Sequence, residues 1–435
     1  MLKTLDRADI KGKKILLRVG YDITLKKEGD TWVVPDDERI RATLPTIQYL
    51  LEQGCAIIVM GGWIGRPKPG VVEEKYKMDP VARRLAELLG KPVKKFDETV
   101  GKAVEEAIFT IKHGEIIMLE NTRFNKGETE ADPSLAREMA KLGDFVVFDA
   151  FAQAMRVHAS TTGILENHRS TSCAGLLMER ELTVLGQILK SPMEPFVVVL
   201  GGAKVSDKIA MVQNFLDKVG IVLVGGALAN PFFQAKGMDV GGSLTESVFV
   251  DEAKGVTYNA VEIAKTLLSN TARKSVPHEL IPFTWPNGER VALSKIQLPL
   301  DVIIAKKKPD GGFFDKTVVI KKLNGQQKLC NNDEAILDIG HTTSFVYNEV
   351  IKRGRTIFWN GPMGYFEDFN FRDGTRSIAN AVADSNGFSV IGGGDTEGVI
   401  AKFNLAGRFG HVSTGGGASL SLLAGEELAV LKYLN

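Results

Sequence analysis

Short runs of uniformly apolar residues alternate along the chain with longer stretches in which apolar positions recur at helical spacing. Ile15–Val19, Cys55–Met60, Ile116–Leu119 and Phe145–Phe148 have the first pattern; Arg39–Glu52 and Val81–Leu89 have the second. Strands apolar on both faces belong inside parallel sheets covered by helices, so the first half reads as βα units. Cys173–Lys190 reads as one amphipathic helix, stopped by Ser191-Pro192-Met193-Glu194-Pro195. A second strand series follows at Phe196–Leu200, Val222–Val224, Val302–Ala305, Ala335–Asp338, Thr356–Trp359, Phe388–Ile391 and His411–Ser413. The expectation is two α/β domains, residues 1–172 and 192–417, joined by a helix at 173–191. Residues 270–297 read as an irregular surface excursion, with Pro277, Pro282, Pro286, Asn287 and Gly288 marking turns.

A length of 435 residues suits two domains. With 44% apolar and 25% charged residues, the composition is that of an ordinary globular protein. The net charge of +1 argues against nucleic acid or an anionic membrane as a bulk electrostatic partner. Cys55, Cys173 and Cys330 are far apart and lack metal-ligand spacing, which suits reduced thiols in a cytoplasmic protein. No apolar run approaches the ~20 residues of a membrane span.

Glycine changes the picture. There are 45, above the usual ~7% share, and in the second half they cluster directly after apolar strands. Gly201-Gly202, Gly225-Gly226, Gly361-Pro362-Met363-Gly364, Gly392-Gly393-Gly394 and Gly415-Gly416-Gly417 all have this placement. Glycine at the carboxyl end of a strand lets backbone N–H groups approach a phosphate, and the next helix adds its positive end. Ligands of open α/β sheets bind at that end. Five such loops point to phosphate or nucleotide binding. The run from Gly201 to Lys208 lacks P-loop spacing, and Glu397 breaks a G-x-G-x-x-G reading from Gly392.

Lys204 and Lys208 are four residues apart beside the first glycine loop. Like charges at that spacing cost stability unless an anion lies near, which favours phosphate contact over a solvated surface pair. Asp395 follows three glycines at a helix start. It reads equally as an N-cap or as a ligand for Mg2+, which takes one or two carboxylates plus substrate phosphates. The first half instead scatters arginines at or near strand ends: Arg18, Arg39, Arg66, Arg123 and Arg156. Guanidinium forks bind carboxylate and phosphate, but spacing alone does not show whether these five converge.

The motifs Gly201-Gly202-Ala203-Lys204-Val205-Ser206-Asp207-Lys208, Trp359-Asn360-Gly361-Pro362, Gly392-Gly393-Gly394-Asp395-Thr396 and His411–Ser419 resemble those of the phosphoglycerate kinase family. Arg39-Ile40, Gly65-Arg66-Pro67, Leu119-Glu120-Asn121 with Arg123-Phe124, and Asp149-Ala150-Phe151 match as well, so the resemblance covers essentially the whole chain. It implies two Rossmann-like, doubly wound parallel-sheet domains joined by a hinge helix, with residues 418–435 returning to the first domain and closure bringing the halves together. It implies phosphoryl transfer between ATP or ADP, with Mg2+, and a small anionic carboxylate, in a monomer. Arg39 and Lys204 would serve the transferring phosphoryl group, and Gly394 and Gly417 would donate N–H groups in the transition state. Gly202, Lys208, Gly226, Asn360, Pro362, Glu367, Gly392, Gly393 and Thr396 would bind nucleotide, with Glu367 on the ribose. Asp395 would ligate the metal. Arg18, Asp22, Trp63, Arg66, Arg123 and Arg156 would line the acceptor site, the last three arginines holding its distal phosphate.

The departures from the family pattern cluster. The family's Arg-Val-Asp-Phe-Asn-Val-Pro is Arg18-Val19-Gly20-Tyr21-Asp22-Ile23-Thr24 here, so the residues that hold the glycerate hydroxyl and carboxylate are Gly20 and Asp22. Two family histidines are Trp63 and Met155. On the nucleotide side, Ala227 and Tyr365 replace a glycine and a small apolar residue. Three readings stay open: an ordinary phosphoglycerate kinase, a kinase for a different phosphorylated or phosphonate-bearing acid, and a non-catalytic nucleotide-binding scaffold.

Overall fold

A computed structural model of the chain describes all residues except 1, 205, 252–255, 282–291, 310, 314–318 and 324–326. Pro282, Pro286, Asn287, Gly288 and the Val205 position of the first glycine motif lie outside the described residues. The chain divides into two compact units, Met1–Val184 with Glu427–Asn435, and Leu185–Glu426. Helix Leu176–Lys190 runs from one into the other.

The first unit is built on a six-stranded parallel sheet in the order Val93–Lys95, Ile116–Met118, Ala56–Met60, Lys14–Val19, Phe145–Asp149, Ser172–Ala174. Ile15, Leu16 and Leu17 are all fully buried, which explains why this strand is apolar without alternation. Ile15, Leu17, Ile57 and Val59 pack with Ile47 and Leu85 from the helices on one face. The strand order reverses between Lys14–Val19 and Phe145–Asp149, so the crevice at their carboxyl ends is the expected ligand position.

The second unit repeats the plan. Its parallel sheet runs Ile296–Gln297, Ile221–Val224, Phe196–Leu200, Thr356–Asn360, Phe388–Gly392, His411–Val412. The reversal here lies between Phe196–Leu200 and Thr356–Asn360. Of residues 418–435, those up to Glu426 stay with this unit and Glu427–Asn435 with the first.

Three elements differ from the sequence expectation. Cys173–Lys190 is not one helix: Ser172–Ala174 pairs in parallel with Val146–Phe148, and the helix begins at Leu176. Gly175 makes the break, because a Cβ there would fall 2.3 Å from the Asp149 carboxyl carbon. Arg39–Glu52 is two helices, Glu38–Arg41 and Leu44–Glu52, the second opened by Pro45 in its first turn. Asp301–Lys306 and Glu334–Ile339 do not join the parallel sheet. They form a separate antiparallel sheet with Val319–Lys322, where Ile303, Ala305, Ala335 and Leu337 pack on Phe371. The short strand Ile296–Gln297 holds the edge position in the parallel sheet instead.

Candidate active site

In the second unit the loops that follow the strands are locked to one another by their backbones. Gly201 N–H donates to Asn360 O, Gly202 N–H to Pro362 O, and Gly226 N–H to Met363 O, at 2.7–2.9 Å. Gly226 has a φ of +60°, and a Cβ on it would lie 2.7 Å from Gly202 N, so no larger residue fits without moving both loops. Thr396 Oγ1 accepts from Gly361 N–H at 2.7 Å and donates to Gly392 O at 2.9 Å, while Asn360 Nδ2 donates to the same carbonyl at 2.6 Å. Asn360 and Thr396 are buried and hold the loops in place.

Beside these loops lies a cavity of about 360 Å³, walled by Phe233, Leu244, Val302, Phe313, Ile336 and Tyr365 on its apolar side. Its rim includes Gly202, Gly226, Pro362, Glu367 and Asp395. Ala227 and Tyr365 both line it, and the Tyr365 ring meets the edge of Phe313 at 6.2 Å. Asp395 is exposed in the first turn of helix Gly394–Lys402, with Gly394 beside it, and Gly417 opens helix Gly417–Leu423. The buried Lys208 has its ammonium 3.2 Å from where a Gly202 Cβ would stand, and it donates to Lys204 O at 3.3 Å. Lys204 itself is exposed. An apolar slot bounded by glycine loops, a helix start and lysines can take a planar base at one end and phosphates at the other.

Beneath the cavity, the buried Asp338 accepts from Ile339 N–H and Gly374 N–H at 2.9 and 2.7 Å. Burial pushes its carboxyl up to about 8.

In the first unit the arginines do converge. Arg18, at the carboxyl end of the central strand, is wholly buried. Its Nε donates to Ser160 O at 3.0 Å, and one Nη donates to Gln153 Oε1 at 2.9 Å and to Val19 O. Burial pulls its guanidinium down to about 10, and Glu128 opposes the shift. Trp63 is 5% exposed and turns inward. Its indole N–H donates to Glu128 Oε1 at 2.8 Å, and its ring lies 4.6 Å from Arg123 Cζ, 5.4 Å from Arg18 Cζ and 4.6 Å from the His158 ring. Glu128, 1% exposed, also accepts from Thr122 Oγ1, Ser160 N–H and Ser160 Oγ. Arg123 donates to Gly65 O, is half-buried, and is held below its ordinary range by burial and then by Arg66, with Arg156 adding to the effect. Arg66 and Arg156 are exposed.

Among the described residues, Arg18 Nη2, Arg123 Nε and Gln153 Nε2 are buried donors with no hydrogen-bond partner. Buried donors are normally satisfied, so three on Arg18, its partner Gln153 and Arg123 mark the place where an anion would bind. Arg39 donates to Asp22 Oδ1 at 2.8 Å. Lost hydration raises the Asp22 carboxyl, while Arg39, Arg18 and Arg123 pull it back. Glu128, Ser160 and Gln153 were not singled out from the sequence. Only their distant partners reveal them, since Glu128 stands 65 positions from Trp63 and 32 from Ser160.

Two parallel-sheet units, one with glycine loops around a nucleotide-sized cavity and the other with an arginine cluster, define a phosphotransferase of the two-domain α/β class. The phosphoglycerate kinase family model matches residues 5–426, and the chain belongs to that family. It is similar to the phosphoglycerate kinase of Coxiella burnetii, with 34% identity, a TM-score of 0.78, and coverage of 100% of this chain and 99% of that one. The phosphoglycerate kinase of Pyrococcus horikoshii OT3 is similar at 32% identity and a TM-score of 0.78, covering 100% and 98%. Membership implies ATP-dependent phosphotransfer and the use of ATP or ADP with Mg2+. Among the described residues, no helix is long and apolar enough to cross a membrane.

Proposed function

We propose that this chain moves a phosphoryl group between ATP and the carboxylate of a small phosphorylated or phosphonate-bearing acid, giving an acyl phosphate. A carboxylate oxygen forms the new bond to the γ-phosphorus, the bond from that phosphorus to the β,γ-bridging oxygen breaks, and ADP leaves with the electron pair. Such transfer needs positioning and charge neutralisation more than a covalent catalyst.

The observation that carries the reading is the set of unpartnered buried donors on Arg18, Gln153 and Arg123, with Arg66 and Arg156 close enough to act on Arg123. They suit the distal anion of the acceptor, and Arg39 suits its carboxylate. The second unit's residues fit Mg-nucleotide. Gly393, at a φ of +93°, would bring a Cβ within 2.6 Å of Asn360 Nδ2, so the loop keeps its backbone bare, and Asp395 offers an exposed carboxylate next to it. When bound there, Mg2+ would neutralise phosphate charge. Gly392 and Gly394 would offer N–H groups, as would Gly417, while Gly202, whose N–H is given to Pro362 O, would bring bare backbone close to the phosphates. Lys204 and Lys208 would neutralise phosphate, and Glu367 would take the ribose hydroxyls.

Trp63 and Gly20 favour an acceptor other than 3-phosphoglycerate, because one puts an indole whose N–H is committed to Glu128 where the family has an imidazole and the other lacks the family's carboxylate. Trapping of acyl phosphate with hydroxylamine in the presence of Mg-ATP, across 3-phosphoglycerate and a panel of phospho- and phosphonocarboxylates, tests the reading. Weak turnover of 3-phosphoglycerate beside strong turnover of another acid is the expected result. Strong turnover of 3-phosphoglycerate alone would make this an ordinary phosphoglycerate kinase. Silence across the panel with ATP still bound would favour the scaffold reading.

A further inference from the structure

Asp22, paired with Arg39, is the acceptor-side residue that the proposed chemistry leaves unexplained. The two meet at 2.8 Å, with side chains 38% and 27% exposed, so both groups are reachable by a ligand. Asp22 stands in the loop after the central strand, within the electrostatic reach of Arg18 and Arg123. It is therefore next to the cluster that holds the buried, unpartnered Arg18 Nη2. At Gly20 a Cβ would touch Gln153 Oε1 only at 3.4 Å, an ordinary contact, so the bare glycine leaves open the space beside Gln153 Nε2.

A ligand whose only group near Arg39 is a carboxylate would place two carboxylates on one guanidinium. Repulsion from Asp22 then works against binding, and that penalty discriminates between ligands. A cation on the carbon next to the ligand's carboxylate reverses the sign. Its ammonium would lie against Asp22, and its carboxylate would take the Arg39 guanidinium edge that the single bond to Asp22 leaves free.

We propose that the acceptor is an α-amino acid carrying a phosphate or phosphonate on its side chain: its ammonium is read by Asp22, its α-carboxylate by Arg39, and its distal anion by Arg66, Arg123 and Arg156. This rests on the reading above that a carboxylate is the acceptor. The ammonium is a recognition element only. The α-carboxylate oxygen bonds to the γ-phosphorus, ADP departs, and the product is an aminoacyl phosphate.

The test uses the full chain and three probes that differ only at the second carbon: O-phospho-L-serine, 3-phosphoglycerate and 3-(phosphonooxy)propanoate. Titration calorimetry without nucleotide reads binding, and hydroxylamine trapping with Mg-ATP reads transfer. O-phospho-L-serine is expected to bind at least about ten-fold tighter than 3-phosphoglycerate, because its ammonium turns the repulsion between Asp22 and the ligand's carboxylate into an attraction. Asp22→Asn is expected to abolish or invert that ratio. A purely structural Asp22 would weaken all three probes together and leave the ratio unmoved. Equal or weaker binding of O-phospho-L-serine by the unaltered chain overturns the proposal, whatever the variant does, and so does a ratio that survives Asp22→Asn. Preferential O-phospho-L-serine binding with no acyl phosphate from any probe would keep the amino-acid site and sink the transfer chemistry. Turnover of 3-phosphoglycerate without O-phospho-L-serine binding would do the reverse.

Discussion

The indole N–H of Trp63 donates to the buried Glu128 carboxylate at 2.8 Å, while the same ring supports the Arg123 guanidinium at 4.6 Å. One side chain thus anchors a buried anion and presents a cation. Trp63→Phe keeps the ring face and removes the donor. The Glu128 carboxylate then loses one of its four donors while buried, at a cost of about 1–3 kcal/mol. A lower midpoint in urea unfolding is expected, and an unchanged midpoint would show that the bond contributes nothing.

Gly20→Asp with Trp63→His puts back two of the side chains that separate this site from its family pattern, leaving Asp22 and Met155 as they are. Activity on 3-phosphoglycerate, read by hydroxylamine trapping, is expected to rise by about ten-fold or more. No gain would remove the basis for an altered acceptor.

Gly393→Ala tests the nucleotide loop. The φ of +93° strains any larger residue by about 1–3 kcal/mol, and its Cβ would push on Asn360, which ties Gly392 O. Mg-ATP affinity by calorimetry should fall by roughly ten-fold. Undiminished affinity would show that this loop does not hold phosphate.

Asp338 gives a pH dependence with a defined sign. Its carboxyl lies near 8 in the fold against an ordinary 3.8, so between these values the folded chain binds more protons than the unfolded one. Stability from this group is therefore present at low pH and is lost as pH rises through about 4 to 8. Asp338→Asn sacrifices one of the two backbone bonds but removes the titration. Thermal midpoints measured from pH 5 to 8 should slope less for the variant than for the unaltered chain; parallel slopes would contradict the shift.

The central strands were readable because burial on both faces makes them uniformly apolar, as at Ile15–Val19 and Phe196–Leu200. The glycine loops were readable because bare backbone leaves a compositional mark. Strand direction left no mark: Val302–Ala305 is as apolar as its parallel counterparts, yet it pairs antiparallel. Ser172–Ala174 was hidden because a three-residue buried strand merges with the apolar face of the helix behind it. In the site, arginine residue types were visible but their meeting was not. Glu128 sits in the polar run Asn125–Thr129 and is buried only by partners brought in from Trp63 and Ser160.

Residues from the two ends of the first unit's chain are sewn together. Lys3 N–H donates to Leu434 O, the Lys3 ammonium to Tyr433 O, and Val430 N–H to Ala154 O, in the loop that carries Gln153 and Arg156. The bond that Val430 makes to this loop therefore cannot form when residue 184 leaves the ribosome. It waits for about 240 more residues, roughly 10–50 s of synthesis at ~5–20 residues per second. During that interval residues 185–426 emerge, so every contact internal to the second unit becomes available before the last segment of the first unit has been made.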